Sequence, residues 1–476
     1  MLQSTTLFAM LLGTGLLQAQ SQWRPAFNLP RQVEPTEIQT ASAIEQQQHP
    51  AMPHKNPALE QTPTITVQPA TQDAQPQVAE TPEAAKAKEA AALKELGTAV
   101  EKLGKNLTVL TGDEEIKLIL GGVVSADFYY NHARPLAPGI PFFLTPRSPF
   151  GFNQDTFDAN ARATTLFGLV KGPKVCDFET GALVAVCLFN DALIVDRYGI
   201  LPIQAWGELK NDDWRFAAGL QFDVFSPLNP NMLTFSLLGG SGNAGVGFPG
   251  QARVERYLHP SCNEQITLTV ALSEPVSTTV NNQLALNEDN GFPNLEARAA
   301  WAYGPLTGEG VDKKRPLEVG VSGLLGQIRT TQAATRVVAD VWGLAADVRW
   351  AITPCYGVQG EIFAGQTLGS YTAGILQNTN VSTFAGVHAA GGWVEGYYYL
   401  VPEKLHAHVG YGIDDPLDGD LALGQPVRNE TYFANLIWQA TKHIRVGGEL
   451  TYRRTEYTLL RNNDGMGFQT QVQWKF

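Results

Sequence analysis

Phe468-Gln469-Thr470-Gln471-Val472-Gln473-Trp474-Lys475-Phe476 alternates two kinds of residue without a break. Phe468, Thr470, Val472, Trp474 and Phe476 fall on one side of an extended chain, and Gln469, Gln471, Gln473 and Lys475 on the other. Period two is the pattern of a strand with one apolar face. A single strand of this kind could belong to a soluble sandwich or to a membrane barrel, so the rest of the chain decides.

The same period recurs from Ile116 onward. Val124, Ala126, Phe128 and Tyr130 alternate with Ser125, Asp127 and Tyr129. Leu295, Ala297, Ala299 and Trp301 alternate with Glu296 and Arg298, and Ile444, Val446, Leu450 and Tyr452 with Arg445, Glu449 and Arg453. Short connections fall near 210–212, 260–262, 353–355, 401–403 and 440–442, and long ones near 131–156, 225–250, 274–293, 367–386 and 412–428. Short turns at one end and long loops at the other describe an all-β, antiparallel transmembrane β-barrel, here of about sixteen strands. The stretch 173–201 carries the weakest signal, and a strand near Ala182–Leu193 has to be assumed there.

Composition agrees. Only 17% of residues are charged and 44% are hydrophobic, yet no run of apolar residues after the amino terminus is long enough for a spanning helix. The net charge of −12 argues against nucleic acid as a partner. Cys176, Cys187, Cys262 and Cys355 form no CxxC pair, and an exported chain could bridge Cys176 to Cys187 or Cys262 to Cys355.

Ahead of the barrel, expected over 115–476, three segments differ in kind. Residues 1–19 read as a signal peptide with a short apolar core around Leu11-Leu12 and Leu16-Leu17. Residues 20–81 are Pro- and Gln-rich, a composition that excludes regular structure and gives an extended linker. Over 82–111, Leu93, Leu96, Val100, Leu103, Leu107 and Leu110 are spaced as a heptad seam, which predicts a short coiled-coil helix.

Few residues point to chemistry. Gly240 to Gly245 fits GxGxxG but lacks the strand–helix setting of a dinucleotide site. His406 and His408 share one strand face, with no third ligand for a metal. No nucleophile–base arrangement stands out, so neither an enzyme nor a cofactor is expected. The inward face is mixed in charge, and Arg162, Glu208, Arg215, Asp223, Arg253, Glu255, Glu296, Arg298 and Arg349 are the expected pore-lining residues. The loop Phe225–Gly250 has no charged residue and is expected to fold into the lumen. With Arg162, Arg215 and Arg253 flanking it, a weak preference for anions follows.

Phe157-Asp158-Ala159-Asn160-Ala161-Arg162, Gln204-Ala205-Trp206-Gly207-Glu208, Trp214 with Gly219-Leu220-Gln221, Phe225-Ser226-Pro227-Leu228 and Arg253-Val254-Glu255-Arg256-Tyr257 resemble the early strands and constriction loop of DcaP-like trimeric porins. The resemblance implies a homotrimer in the outer membrane of a Gram-negative cell, contacting outer-membrane lipid. It implies a periplasmic N-terminal coiled coil and passive diffusion of small hydrophilic, often anionic, solutes. A terminal Phe476 on an alternating strand resembles the signal read by the barrel-insertion machinery. An alternative is a structural envelope protein that tethers the outer membrane through its linker and coil.

Overall fold

The computed structural model describes residues 107–111, 116–191, 197–245, 247–275, 291–307, 314–332 and 335–476. The signal peptide, the linker and residues 82–106 of the expected helix lie outside the described residues. The carboxyl end of that expected helix is corrected. Leu107–Thr111 is a strand, β1, because residues 116–120 of the next strand offer it an open edge.

The barrel opens with β2 (Ile116–Asn131), β3 (Thr156–Asn160) and β4 (Thr165–Val175). It continues through β5 (Phe178–Asp191), β6 (Arg197–Lys210), β7 (Trp214–Leu220), β8 (Gly250–Leu258) and β9 (Glu264–Ser273). Next come β10 (Asn294–Tyr303), β11 (Leu317–Gln332), β12 (Thr335–Trp350), β13 (Tyr356–Gln366) and β14 (His388–Val401). It ends with β15 (Leu405–Pro416), β16 (Pro426–Gln439), β17 (Ile444–Tyr457) and β18 (Asn463–Lys475). Both β3 and β4 pair with β2, so they are two halves of one interrupted strand. Each strand is antiparallel to its neighbours, and β18 closes on β2. Counted this way the wall has sixteen strands, as the spacing predicts.

Strand β1 sits at the seam. Lys475 pairs with Val123, the Phe476 backbone bonds Gly122, and Leu107 pairs with Leu120. Because β4 occupies the other edge of β2 at 117–123, β1 continues the line of β18.

The outer face is apolar, as a wall solvated by lipid must be. Val124, Phe128, Leu268, Val270, Leu344, Ile362, Val394, Leu450 and Phe468 all point outward and are exposed. Tyr411, Tyr432 and Tyr452 make a row near the long-loop end, each opposite the next across the ladder. Trp301, Trp350, Trp438 and Trp474 stand outward near the short-turn end. Paired aromatic belts of this kind mark the two interfaces of a bilayer.

The inner face departs from simple polarity. Phe167 and Leu169 of β4, Leu183, Ala185 and Cys187 of β5, and Ile203 of β6 face inward and are buried. They pack against Ile140, Phe142 and Phe143 from the β2–β3 loop and Phe235 and Phe248 from the β7–β8 loop. One sector of the barrel is thus filled by an apolar core. All four cysteines are free thiols, so neither of the two possible bridges is formed. Cys176 lies in the β4–β5 turn and Cys187 is eleven residues further along the chain, on β5, so the extended strand carries it about 30 Å away.

Candidate functional site: the lumen and its inward loop

Residues 221–245 and 247–249 leave β7 and run inside the barrel, almost all of them buried. Their backbone amides would be unpaired there without acceptors, and leaving such groups buried and unsatisfied is costly. Carboxyl groups on four wall strands supply the acceptors. Glu296 on β10 receives the amides of Val224 (2.7 Å) and Phe225 (3.2 Å). Glu361 on β13 receives Leu228 N at 2.6 Å and the Ser226 hydroxyl at 2.7 Å. Glu395 on β14 receives both the backbone and side-chain nitrogens of Asn231. Glu449 on β17 receives the amides of Leu233 (2.7 Å) and Thr234 (3.0 Å) and the Thr234 hydroxyl. The loop therefore follows the wall from β10 to β17 and is held by its main chain together with the side chains of Ser226, Asn231 and Thr234. Beyond Asp223 the loop has no charged residue, and the carboxyl groups that anchor it belong to the wall.

The return path is tight. Gly245 has φ +77°, and a Cβ there would run into the carbonyls of Phe225 and Ser226. Gly242, at φ +103°, passes directly over the Gly392 carbonyl of the wall. The GxGxxG spacing thus serves turns and close backbone approach. A second inward loop, 367–387, meets the first where Tyr371 and Thr372 carbonyls accept from Gly245 and Gly240. Asp414 of β15 fixes this second loop through the amides of Gly374 and Ile375, both at 2.9 Å.

Nearer the short-turn end the inward charges pair with one another. Arg215 of β7 donates to Glu208 of β6 at 2.5 Å and to Glu255 of β8 at 2.7 Å, while its guanidinium lies 5.1 Å from the Trp206 ring centre. Arg253 lies 3.7 Å from Glu255 and donates to the Phe222 carbonyl at the root of the loop. Across the wall, Arg298 binds Asp347 (2.5 Å) and Glu318 (3.0 Å), and Glu318 also binds Arg349 (2.9 Å). Register ties the two groups together, since Arg215, Glu255, Thr269 and Arg298 are successive ladder partners. Four arginines thus meet four carboxylates.

Of the nine expected lining residues, Glu208, Arg253, Glu255, Arg298 and Arg349 are inward and half-buried, and Arg215 is sealed between its carboxylate partners. Arg162, Asp223 and Glu296 instead hold loops. Arg162 is 1% exposed and donates to the Gly139 carbonyl of the β2–β3 loop at 2.6 Å. Asp223 is not on a strand at all, because β7 ends at Leu220, and its carboxylate accepts from Gly247 N at 2.6 Å. Sequence reasoning missed Glu318, Glu361, Glu395 and Asp414 as site residues. The available signal was an acidic residue at inward parity in a chain whose long loop has no charge of its own.

No protein-family profile and no curated protein matches the chain. Solved structures do. The outer membrane channel DcaP of Acinetobacter baumannii is 18% identical and superposes with a TM-score of 0.59, covering 76% of this chain and 97% of that one. OprB of Pseudomonas putida (8% identical, TM-score 0.49, 80% of this chain and 97% of that one) and an anion-selective porin from Comamonas acidovorans (10%, 0.48, 76% and 100%) are more distant. The fold of this chain is that of the DcaP outer-membrane channel.

Proposed function

We propose that the protein is an outer-membrane porin through which small hydrophilic solutes diffuse passively, working as a homotrimer. The observation that carries this reading is a lipid-facing barrel whose lumen holds an inward loop, anchored by wall carboxylates above a belt of charged side chains. A loop so fixed narrows a water-filled passage, and fixed charges beside it set the field that a solute crosses. The pairing of four arginines with four carboxylates favours weak charge selectivity over the marked anion preference that unpaired arginines would give. Purified protein added to a planar bilayer should produce stepwise conductance that scales with salt, and its mass in mild detergent should be three times that of the chain. Membranes that stay silent although the protein has inserted would refute the reading.

A further inference from the structure

Four aromatic rings stand together on the lumen side of β14 and β15, below the loop. Tyr397 is the ladder partner of His408, and Tyr399 of His406. Tyr397 and Tyr399 are stacked with centres 5.2 Å apart, and Tyr399 and His406 lie 4.4 Å apart. His408 is 6.4 Å from Tyr397 and from His406. Their neighbours Tyr398 and Leu400 point outward and are exposed, so this patch is distinct from the outer aromatic belt.

The patch also carries unused polar atoms. His408 is 4% exposed and its Nδ1 lies 2.6 Å from Glu395, while its Nε2 has no hydrogen-bond partner among the described residues. The Nε2 of His406 is likewise buried and unpartnered. A neutral His408 ring that donates from Nδ1 to Glu395 would have Nε2 as its acceptor. Such groups are rarely left unsatisfied, and one explanation is a ligand that completes them.

We propose that Tyr397, Tyr399, His406 and His408 form a subsite for a neutral sugar ring in the channel. It rests on the diffusion-channel reading, because the patch is reached through the lumen. A pyranose offers an apolar face of C–H groups and a rim of hydroxyls. The face lies against the tyrosine rings, and hydroxyls donate to the imidazole nitrogens. A purely aromatic solute would stack but leave those nitrogens empty. An anion would meet the Glu395 carboxyl group beside His408, and it would find the guanidinium of Arg349 already held by Glu318 and that of Arg445 bonded to Gln471.

The probe is maltose, with glucose beside it, applied to the channel in a planar bilayer and, separately, to detergent-solubilised trimer in a calorimeter. The native channel should show current interruptions that increase with maltose concentration. Tyr399→Ala should weaken the apparent affinity by about ten-fold, the size of an aromatic contact, whereas the outward Tyr398→Ala should leave it unchanged. Retained heat-modifiable mobility on a gel shows that each variant is folded. A conducting channel unaffected by either sugar overturns the subsite alone, as does equal block in Tyr399→Ala, or block by benzoate but not by maltose. Maltose heat without conductance overturns the diffusion reading and supports the subsite.

Discussion

Glu395 Oε1 lies 2.6 Å from Nδ1 of His408, and the other oxygen of the same carboxylate takes the amide of Asn231 at 2.6 Å. One side chain therefore ties the inward loop to the aromatic patch below it, with Gln359 as a third donor. Its removal should be felt in both places.

Glu395→Ala leaves the backbone and side-chain nitrogens of Asn231 and the His408 ring without their Glu395 partner, while the Gln359 side chain keeps the Asn229 carbonyl. Each buried group so orphaned costs about 1–3 kcal/mol. The barrel should still form, since its ladders are untouched. Open-channel current noise should rise as the loop loosens, and single-channel recordings at fixed salt will show it. Noise indistinguishable from the native channel would mean the carboxylate does not hold the loop.

Arg215→Ala should turn the channel toward cations. The substitution strands Glu208, leaves Glu255 with Arg253 as its remaining arginine, and leaves the charged belt with one more carboxylate than arginine. Reversal potential under a salt gradient reads the sign directly. The change should be larger in dilute salt, where weaker screening lets the field of a charge reach beyond the roughly 8 Å of physiological solutions. A shift toward anions would contradict the pairing described here.

The thiols should separate by position. Cys176 and Cys262 are exposed in short turns, Cys355 is half-buried in another, and Cys187 is 1% exposed inside the apolar sector. A charged maleimide should label the first two quickly and Cys355 more slowly, with Cys187 reacting only after unfolding. Mass spectrometry of native and denatured samples counts the adducts. Rapid native labelling of Cys187 would place it elsewhere.

Leu183→Ala should cost about 2–5 kcal/mol, as for other large-to-small changes in a packed core. Leu183 is 1% exposed and touches the loop residues that fill this side of the barrel. The temperature at which the folded gel mobility is lost should fall. The outward Val184→Ala should change it little.

That sector also explains where the sequence was hardest to read. In β5, Leu183, Ala185 and Cys187 face the inward loops while Val184, Val186 and Leu188 face lipid. Both faces are apolar, so period two disappears although the strand is regular. On β18 the inner face is Gln469, Gln471 and Gln473, and the alternation survives intact. The seam strand Leu107–Thr111 was hidden for a different reason. A spacing of three and four describes a helix in isolation, but here the open edge of β2 binds the segment and tertiary pairing overrides the local pattern. Opposite charges were visible as residues, yet which ones pair and which ones grip a loop depends on register, and no spacing rule supplies that.

The four glutamates that hold the inward loop recognise peptide N–H groups, which every residue but proline possesses. That part of the anchorage does not read the loop's side chains, whereas Ser226, Asn231 and Thr234 add side-chain hydrogen bonds to three of the same glutamates. Substitutions at loop positions that face the passage can alter what the channel admits without detaching the loop, provided Gly242 and Gly245 keep their turns. A barrel built this way can be retuned to a new solute by changing a few loop side chains while its framework stays as it is.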